Sequence, residues 1–165
     1  MTAPKTLLIT HTGLQTAFCY YRFGSPRSLL PHVRDLGVRL TEGKLTIIRG
    51  CFFSSTVVFD EEPGVRYRQF NICVSGPRTV ARRLMIHECS HAAAALSGYM
   101  RRRKHAARRC PAPELLCYAT EALSTMGLEW LDRGCPEAGL PLRFVTNAVQ
   151  GLDMCRHPKF WTKHE

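Results

Sequence analysis

The residues of this chain best suited to chemistry are His87, Glu88 and His91, which lie in the five-residue segment HECSH. Residues four positions apart on a helix lie one above the other on the same face, so two imidazoles at this spacing can reach one metal ion. Glu88 borders that face, where its carboxylate could accept a proton from a water molecule on the ion. The spacing therefore predicts Zn²⁺ bound by His87 and His91, with Glu88 as the general base.

The sequence around the motif predicts a buried helix that would position these side chains. Ser75 or Gly76 could cap its start, Pro77 suits its first turn, and no helix breaker follows before Gly98, where we expect it to end. The run LMIHECSHAAAAL is apolar nearly all round, so its polar residues need partners once buried. A metal would supply that partner. The alternative is a pair of histidines satisfied in the core, with Glu88 as their ion partner.

A catalytic zinc ion usually has three protein ligands, and this helix offers only two. The longer pattern HExxHxxGxxH is absent, because Ala94 and Ser97 occupy the positions of its glycine and third histidine. The acidic residues between 92 and 128 are Glu114 and Glu121, both in the next predicted helix. Glu114 is favoured because an antiparallel helix could begin beside the metal, and Glu121 could orient a histidine instead. Either residue could also be an ordinary surface or capping glutamate.

HECSH on one helix and ELLCYATEAL on the next resemble the gluzincin-type zinc metallopeptidases, which bind zinc through HExxH and a downstream glutamate. The resemblance is closest to small phage-encoded and ImmA/IrrE-like members, and it covers about residues 67–131. In those members the second helix begins with a glutamate followed by an aromatic–alanine pair, for which Glu114, Tyr118 and Ala119 stand here. The resemblance implies an intracellular peptide-bond hydrolase of phage or mobile-element origin.

The same resemblance implies an α+β fold in which the edge of a strand pairs with an extended protein or peptide substrate. Residues 70–74 are the candidate for that edge. Peptide hydrolysis also needs a hydrogen-bond donor for the developing oxyanion. The sequence leaves four candidates open for this role: Tyr99, His105, Tyr118 and His157.

The remaining patterns predict one domain over residues 1–165, with a small antiparallel or mixed sheet packed on the two ligand-bearing helices. Residues 67–131 would form the zinc-binding core, and residues 1–65 have no assigned role. Residues 14–21 are predicted as a helix, and Pro31 is expected to interrupt a helix that begins near Pro26. Strands are predicted at residues 5–10, 44–49, 51–59 and 66–74, with a hairpin turn at DEEPG, and further helices at 113–134 and 140–154.

The composition is that of a globular protein, with 45% hydrophobic and 22% charged residues. No apolar stretch is long enough to span a membrane, and residues 1–10 lack the apolar core of a secretory signal. We therefore expect a cytoplasmic location without a membrane partner. The eight cysteines are scattered and form no CxxC pair, which predicts reduced and mostly buried thiols. Cys89, inside the motif, is predicted to be a small core residue turned away from the metal.

Much of the net charge of +10 comes from the segment RRRKHAARR at residues 101–109, because removing its six basic residues leaves 10 − 6 = +4. This segment connects the two ligand-bearing helices, where it could be a solvated loop or a binding site for an acidic protein or nucleic acid. It suggests an alternative function, that of a zinc-containing protein that binds a host protein or nucleic acid without catalysis. The basic residues concerned are Arg101, Arg102, Arg103, Lys104, Arg108 and Arg109.

Overall fold

The structure, a computed structural model, describes residues 3–35, 49–102 and 112–154. The strands are β1 (Lys5–His11), β2 (Thr16–Phe23), β3 (Gly50–Val57) and β4 (Tyr67–Ser75). The helices are α1 (Pro26–Asp35), α2 (Arg78–Arg102), α3 (Ala112–Asp132) and α4 (Leu142–Met154), and a short 3-10 turn (Thr12–Leu14) separates β1 from β2. The predicted strand at residues 44–49 lies almost wholly outside the described residues.

The strands form one mixed sheet in the order β1-β2-β4-β3. β2 pairs parallel with β4, whereas β1 pairs antiparallel with β2 and β3 pairs antiparallel with β4. The predicted α+β class and the β3–β4 hairpin are confirmed, with Val57 opposite Tyr67 next to the turn. Residues 70–74 lie in β4 between two other strands, so their prediction as a sheet edge is wrong. In the part of the chain that the structure describes, β3 is the edge strand next to β4, and β1 is the edge strand on the opposite side of the sheet.

Of residues 14–21, predicted as a helix, residues 16–21 instead form most of the strand β2, and Leu14 ends the 3-10 turn before it. Phe18 and Tyr20 point into the main core with α2 and α3, whereas Cys19 and Tyr21 point to the opposite face, which α1 covers. A strand buried on both faces has no alternation of apolar and polar residues, so its sequence is hard to distinguish from that of a buried helix. The helix prediction failed for this reason.

Two helices continue past residues that were expected to interrupt them. Pro31 lies inside α1, which still buries Leu29 and Val33 against the sheet. α2 continues through Gly98 to Arg102 and buries Met100 beyond the glycine. A glycine inside a helix costs about 1 kcal/mol relative to alanine. Burying a methionine side chain contributes about 1.5–3 kcal/mol, which outweighs that cost.

The two helices α2 and α3 pack together on one face of the sheet and are in close contact at Gly127. A Cβ atom at Gly127 would lie 2.5 Å from Sδ of Met85 and 2.9 Å from Cε1 of Tyr20. The Tyr20 hydroxyl donates a 2.9 Å hydrogen bond to the carbonyl of Leu123, which ties β2 to α3. α2 carries HECSH, so this contact determines which of its faces α3 covers.

The cysteines in the described residues are free: Cys19, Cys73, Cys89 and Cys135 are buried, Cys51 is half-buried and Cys117 is exposed. No helix among those described is both long and apolar enough to cross a bilayer.

Candidate metal centre

The two histidines of HECSH lie side by side on the exposed side of α2. Their Nε2 atoms are 3.2 Å apart, and the two rings are inclined at 86°. Two nitrogen ligands bound at about 2.0–2.1 Å to one tetrahedral zinc ion have their donor atoms roughly 3.3 Å apart. The separation of His87 and His91 therefore suits a shared ion. It also suits a direct hydrogen bond between one protonated and one unprotonated ring nitrogen.

Glu88 turns away from the exposed side and is only 6% exposed. Its Oε1 atom would lie 3.1 Å from a Cβ atom at Gly50, so the glycine that begins β3 leaves room for the carboxylate. Burial raises the pKa of Glu88, and the charges of His87 and His91 lower it to a smaller extent. The carboxylate forms no hydrogen bond with any other described side chain or backbone group. A buried acid without such a partner calls for a catalytic role, a water molecule or an ion.

α3 covers the side of α2 opposite to the two histidines. Met85 contacts α3 at Gly127, and Cys89 contacts Ser124 of α3. Each histidine follows one of these residues by two positions, which is about 200° around the helix axis. His87 and His91 therefore point away from α3.

The structure does not bring Glu114 or Glu121 to the histidine pair. Both glutamates are exposed on α3, and Glu121 lines a cavity of about 460 Å³ between α3 and α4. His87 lines a different cavity, of about 490 Å³. Within residues 3–35, 49–102 and 112–154, no three His, Cys, Asp or Glu side chains are grouped so as to hold a metal ion. The identity of the third ligand stays a prediction.

Cys89 is fully buried against α3, as the sequence predicted. Burial raises its pKa to about 12, so the thiol stays protonated at neutral pH. A protonated thiol that faces α3 is neither a ligand nor a nucleophile for the site on the opposite side of α2.

The candidates for the oxyanion donor are scattered. The Tyr99 hydroxyl lies 3.4 Å from the carbonyl of Leu14, and Tyr118 lines the cavity between α3 and α4. His105 and His157 lie outside the described residues. Neither tyrosine lines the cavity that His87 borders.

Two arginines that the sequence analysis missed, Arg49 and Arg83, line the cavity that His87 borders. Val80 and Leu84 complete its wall. Arg83 could have been found from its helical spacing, because it lies four residues before His87 and so on the same face. Arg49 could not, because it comes from the segment before β3 and only the folded sheet brings it to α2.

This chain matches no protein-family model, no curated protein and no solved structure. The likeness to gluzincin-type peptidases therefore depends on HECSH and ELLCYATEAL alone.

The described part of the basic segment lies well away from the histidine pair. Arg101 and Arg102 are exposed in the last turn of α2. Arg101 follows His91 by 101 − 91 = 10 positions, or about 15 Å along the helix axis. The other four basic residues are outside the described part: Arg103, Lys104, Arg108 and Arg109.

Proposed function

We propose that this chain is a zinc-dependent peptide-bond hydrolase in which His87 and His91 bind the metal and Glu88 is the general base. The observation that carries the proposal is the 3.2 Å separation of the two Nε2 atoms, which suits two ligands of one ion. The buried carboxylate of Glu88, which forms no hydrogen bond with another described residue and is next to His87 in the chain, supports it further.

A bound Zn²⁺ would supply Lewis acidity to the scissile carbonyl and to a water molecule. Glu88 would take a proton from the attacking water and deliver it to the leaving amine. Burial raises the pKa of this carboxyl toward the working pH, which suits a group that must both accept and donate a proton.

The edge of β3 is the natural place for an extended substrate in this proposal. Among the described strands, β3 pairs only with β4, so its other edge is available for β-strand addition. β3 begins at Gly50, against the carboxylate of Glu88. A peptide that pairs with β3 would therefore run past the proposed general base.

The proposal requires an anionic third ligand. Two neutral imidazoles contribute no negative charge, and the guanidinium groups of Arg49 and Arg83 near His87 oppose a divalent cation. Glu114, in the first turn of α3, is the residue that the family resemblance implies, and Glu121 is its alternative. If Glu114 is the ligand, the start of α3 must approach α2 in the zinc-bound protein.

Metal analysis of the protein and its variants tests the proposal. Protein purified without chelators should contain one zinc per chain, which His87→Ala and His91→Ala should lose and the control Ser90→Ala should keep. Glu88→Gln should keep zinc while losing hydrolysis of a casein-derived peptide pool by about 10²-fold or more. A wild-type protein without zinc, or an active Glu88→Gln variant, would contradict the proposal.

The third ligand is tested in the same experiment. If Glu114 binds the metal, Glu114→Ala loses zinc and Glu121→Ala retains it, and the reverse result assigns the role to Glu121. Retention of zinc by both variants would exclude a ligand from α3.

A non-catalytic zinc protein that binds an acidic protein or nucleic acid is the second candidate function. The exposure of Arg101 and Arg102 at the end of α2 favours it, because both guanidinium groups are accessible to a partner. Their distance from the histidine pair would make such binding independent of the metal.

A further inference from the structure

We infer that the substrate of the proposed hydrolase carries a carboxylate, and that Arg49 and Arg83 bind it. This inference rests on the proposed function, because it specifies the substrate of the same site. Its basis is the cavity of about 490 Å³ beside the histidine pair, to which both arginines and His87 contribute.

Arg83 is positioned by the helix that carries the proposed ligands. It lies one turn before His87 on α2, and side chains four positions apart have Cβ atoms about 5–6 Å apart. A substrate group bound by Arg83 would therefore remain close to a carbonyl held at His87. The neighbouring Val80 and Leu84 give the cavity an aliphatic wall, against which the methylene groups of a substrate residue can pack.

Arg49 reaches the same cavity from the sheet. Its backbone carbonyl accepts hydrogen bonds from the amide of Ser75 at 2.9 Å and from the Ser75 hydroxyl at 2.6 Å. Ser75 is fully buried, so this pair of bonds holds the backbone in place where β3 begins. The side chain of Arg49 remains exposed and lines the cavity.

Within the described residues, neither guanidinium group is taken up by an ion pair. Elsewhere on α2, Arg78 and Arg82 pair with Asp132, and the Arg78–Asp132 distance is 3.0 Å. No acidic side chain in the described part of the chain pairs with Arg49 or Arg83. Two guanidinium groups on one cavity, neither of them paired with a described acid, favour a planar anion, which accepts several charge-assisted hydrogen bonds.

On a peptide substrate that planar anion is a carboxylate. It has two sources, the C-terminal carboxylate of the peptide or the side chain of an internal Asp or Glu. The first source would give cleavage near the C-terminus, and the second would give cleavage beside an acidic residue.

Binding to the zinc-loaded Glu88→Gln variant separates substrate recognition from turnover. The probes are three fluorescein-labelled hexapeptide pools that differ only in charge: one with a free C-terminal carboxylate, one with a C-terminal amide, and one with the amide and a single glutamate. Fluorescence anisotropy should show about tenfold tighter binding of one or both acidic pools than of the neutral pool, equivalent to about 1.4 kcal/mol. The pool that binds more tightly identifies the source of the carboxylate.

The arginines are tested by charge-matched variants in the same background. Arg49→Gln/Arg83→Gln should abolish the preference for the acidic pools. The control Arg66→Gln/Arg143→Gln, which removes the same charge from exposed positions outside the cavity, should retain it. An equal loss in both double variants would overturn the inference, because the preference would then come from net charge.

The outcomes distinguish this inference from the proposed function. Equal binding of the three pools to a protein that holds zinc and hydrolyses peptides overturns the carboxylate site and leaves the hydrolase intact. If the chain holds no zinc, the hydrolase proposal fails and the same pools are tested on the metal-free protein. A preference that depends on Arg49 and Arg83 would still support a carboxylate site, and its absence would overturn it.

Discussion

At the scale of single residues, Glu88 combines a cost in stability with a proposed role in catalysis. Its carboxylate lies against Gly50 with little exposure, and burial disfavours its ionised form. The neighbouring His87 and His91 stay exposed, although all three belong to one five-residue segment. A helix thus places the two proposed ligands near solvent and the proposed base against the sheet, within a little more than one turn.

Glu88→Gln should stabilise the metal-free protein at pH 7 by about 1 kcal/mol, because it removes a buried charge that has no hydrogen-bond partner among the described residues. The measurement is the free energy of unfolding from urea denaturation. The control Glu129→Gln, which breaks the 2.6 Å surface ion pair with Arg133, should be neutral or slightly destabilising. A less stable Glu88→Gln variant would show that the carboxylate forms a favourable interaction in the folded protein.

At the scale of elements, the contact between α2 and α3 decides what the histidines face. Met85 and Cys89 face α3, so the helical repeat turns His87 and His91 away from it. The pairing of Arg78 and Arg82 with Asp132 joins the start of α2 to the end of α3 and supports the antiparallel arrangement. These contacts explain why the carboxylates of α3 are not gathered at the histidine pair.

Gly127→Ala should destabilise the fold by about 1–2 kcal/mol. The new methyl group would displace Met85 and the ring of Tyr20, and such overpacking costs about 1–3 kcal/mol. Because two side chains must move, we expect a cost near the upper end of that range, and subtracting the roughly 1 kcal/mol that alanine gains over glycine in a helix leaves a net loss of about 1–2 kcal/mol. Thermal and urea unfolding measure the change.

Gly98→Ala on α2 is the matched control. A Cβ atom there would lie 3.3 Å from Nη1 of Arg102, an exposed side chain that can move aside. This variant should therefore gain about 0.5–1 kcal/mol from helix propensity. A stable Gly127→Ala variant would show that α2 and α3 can separate at little cost.

At the scale of the whole molecule, two groups of exposed arginines lie at different places along α2. Arg49 and Arg83 lie beside the histidine pair, whereas Arg101 and Arg102 lie about 15 Å further along α2. The net charge of +10 favours association with polyanions in general. Binding at one specific site must therefore be distinguished by experiment from this general electrostatic attraction.

Binding of a fluorescein-labelled 20-base-pair DNA duplex should weaken as salt increases, because neutralising its phosphates releases counterions. A plot of log affinity against log salt has a negative slope. Replacing residues 101–104 by glutamine should make that slope less negative, by about 0.9 for each phosphate that the variant no longer neutralises. Arg49→Gln/Arg83→Gln is the control and should leave that slope nearly unchanged. Affinity that does not depend on salt would contradict an electrostatic binding site at the end of α2.

Local patterns were sufficient to predict much of the secondary structure. The helical runs of α2, α3 and α4, the β3–β4 hairpin and the placement of His87 beside His91 all depend on residues close in sequence. Helical periodicity, turn residues and an i, i+4 spacing report such local geometry directly. The inward position of Cys89 follows from the same periodicity.

Tertiary packing decided the features that depend on distant partners. β2 is a strand because α1 covers one of its faces and α2 and α3 cover the other, which its own sequence does not reveal. Among the described strands, β3 rather than β4 lies at an edge, because β4 pairs with β2 on one side and with β3 on the other. Arg49 meets His87 only after the sheet forms, and α3 lies behind the histidines because of the close contact at Gly127. Each of these features depends on which surfaces bury one another, and a one-dimensional pattern does not contain that information.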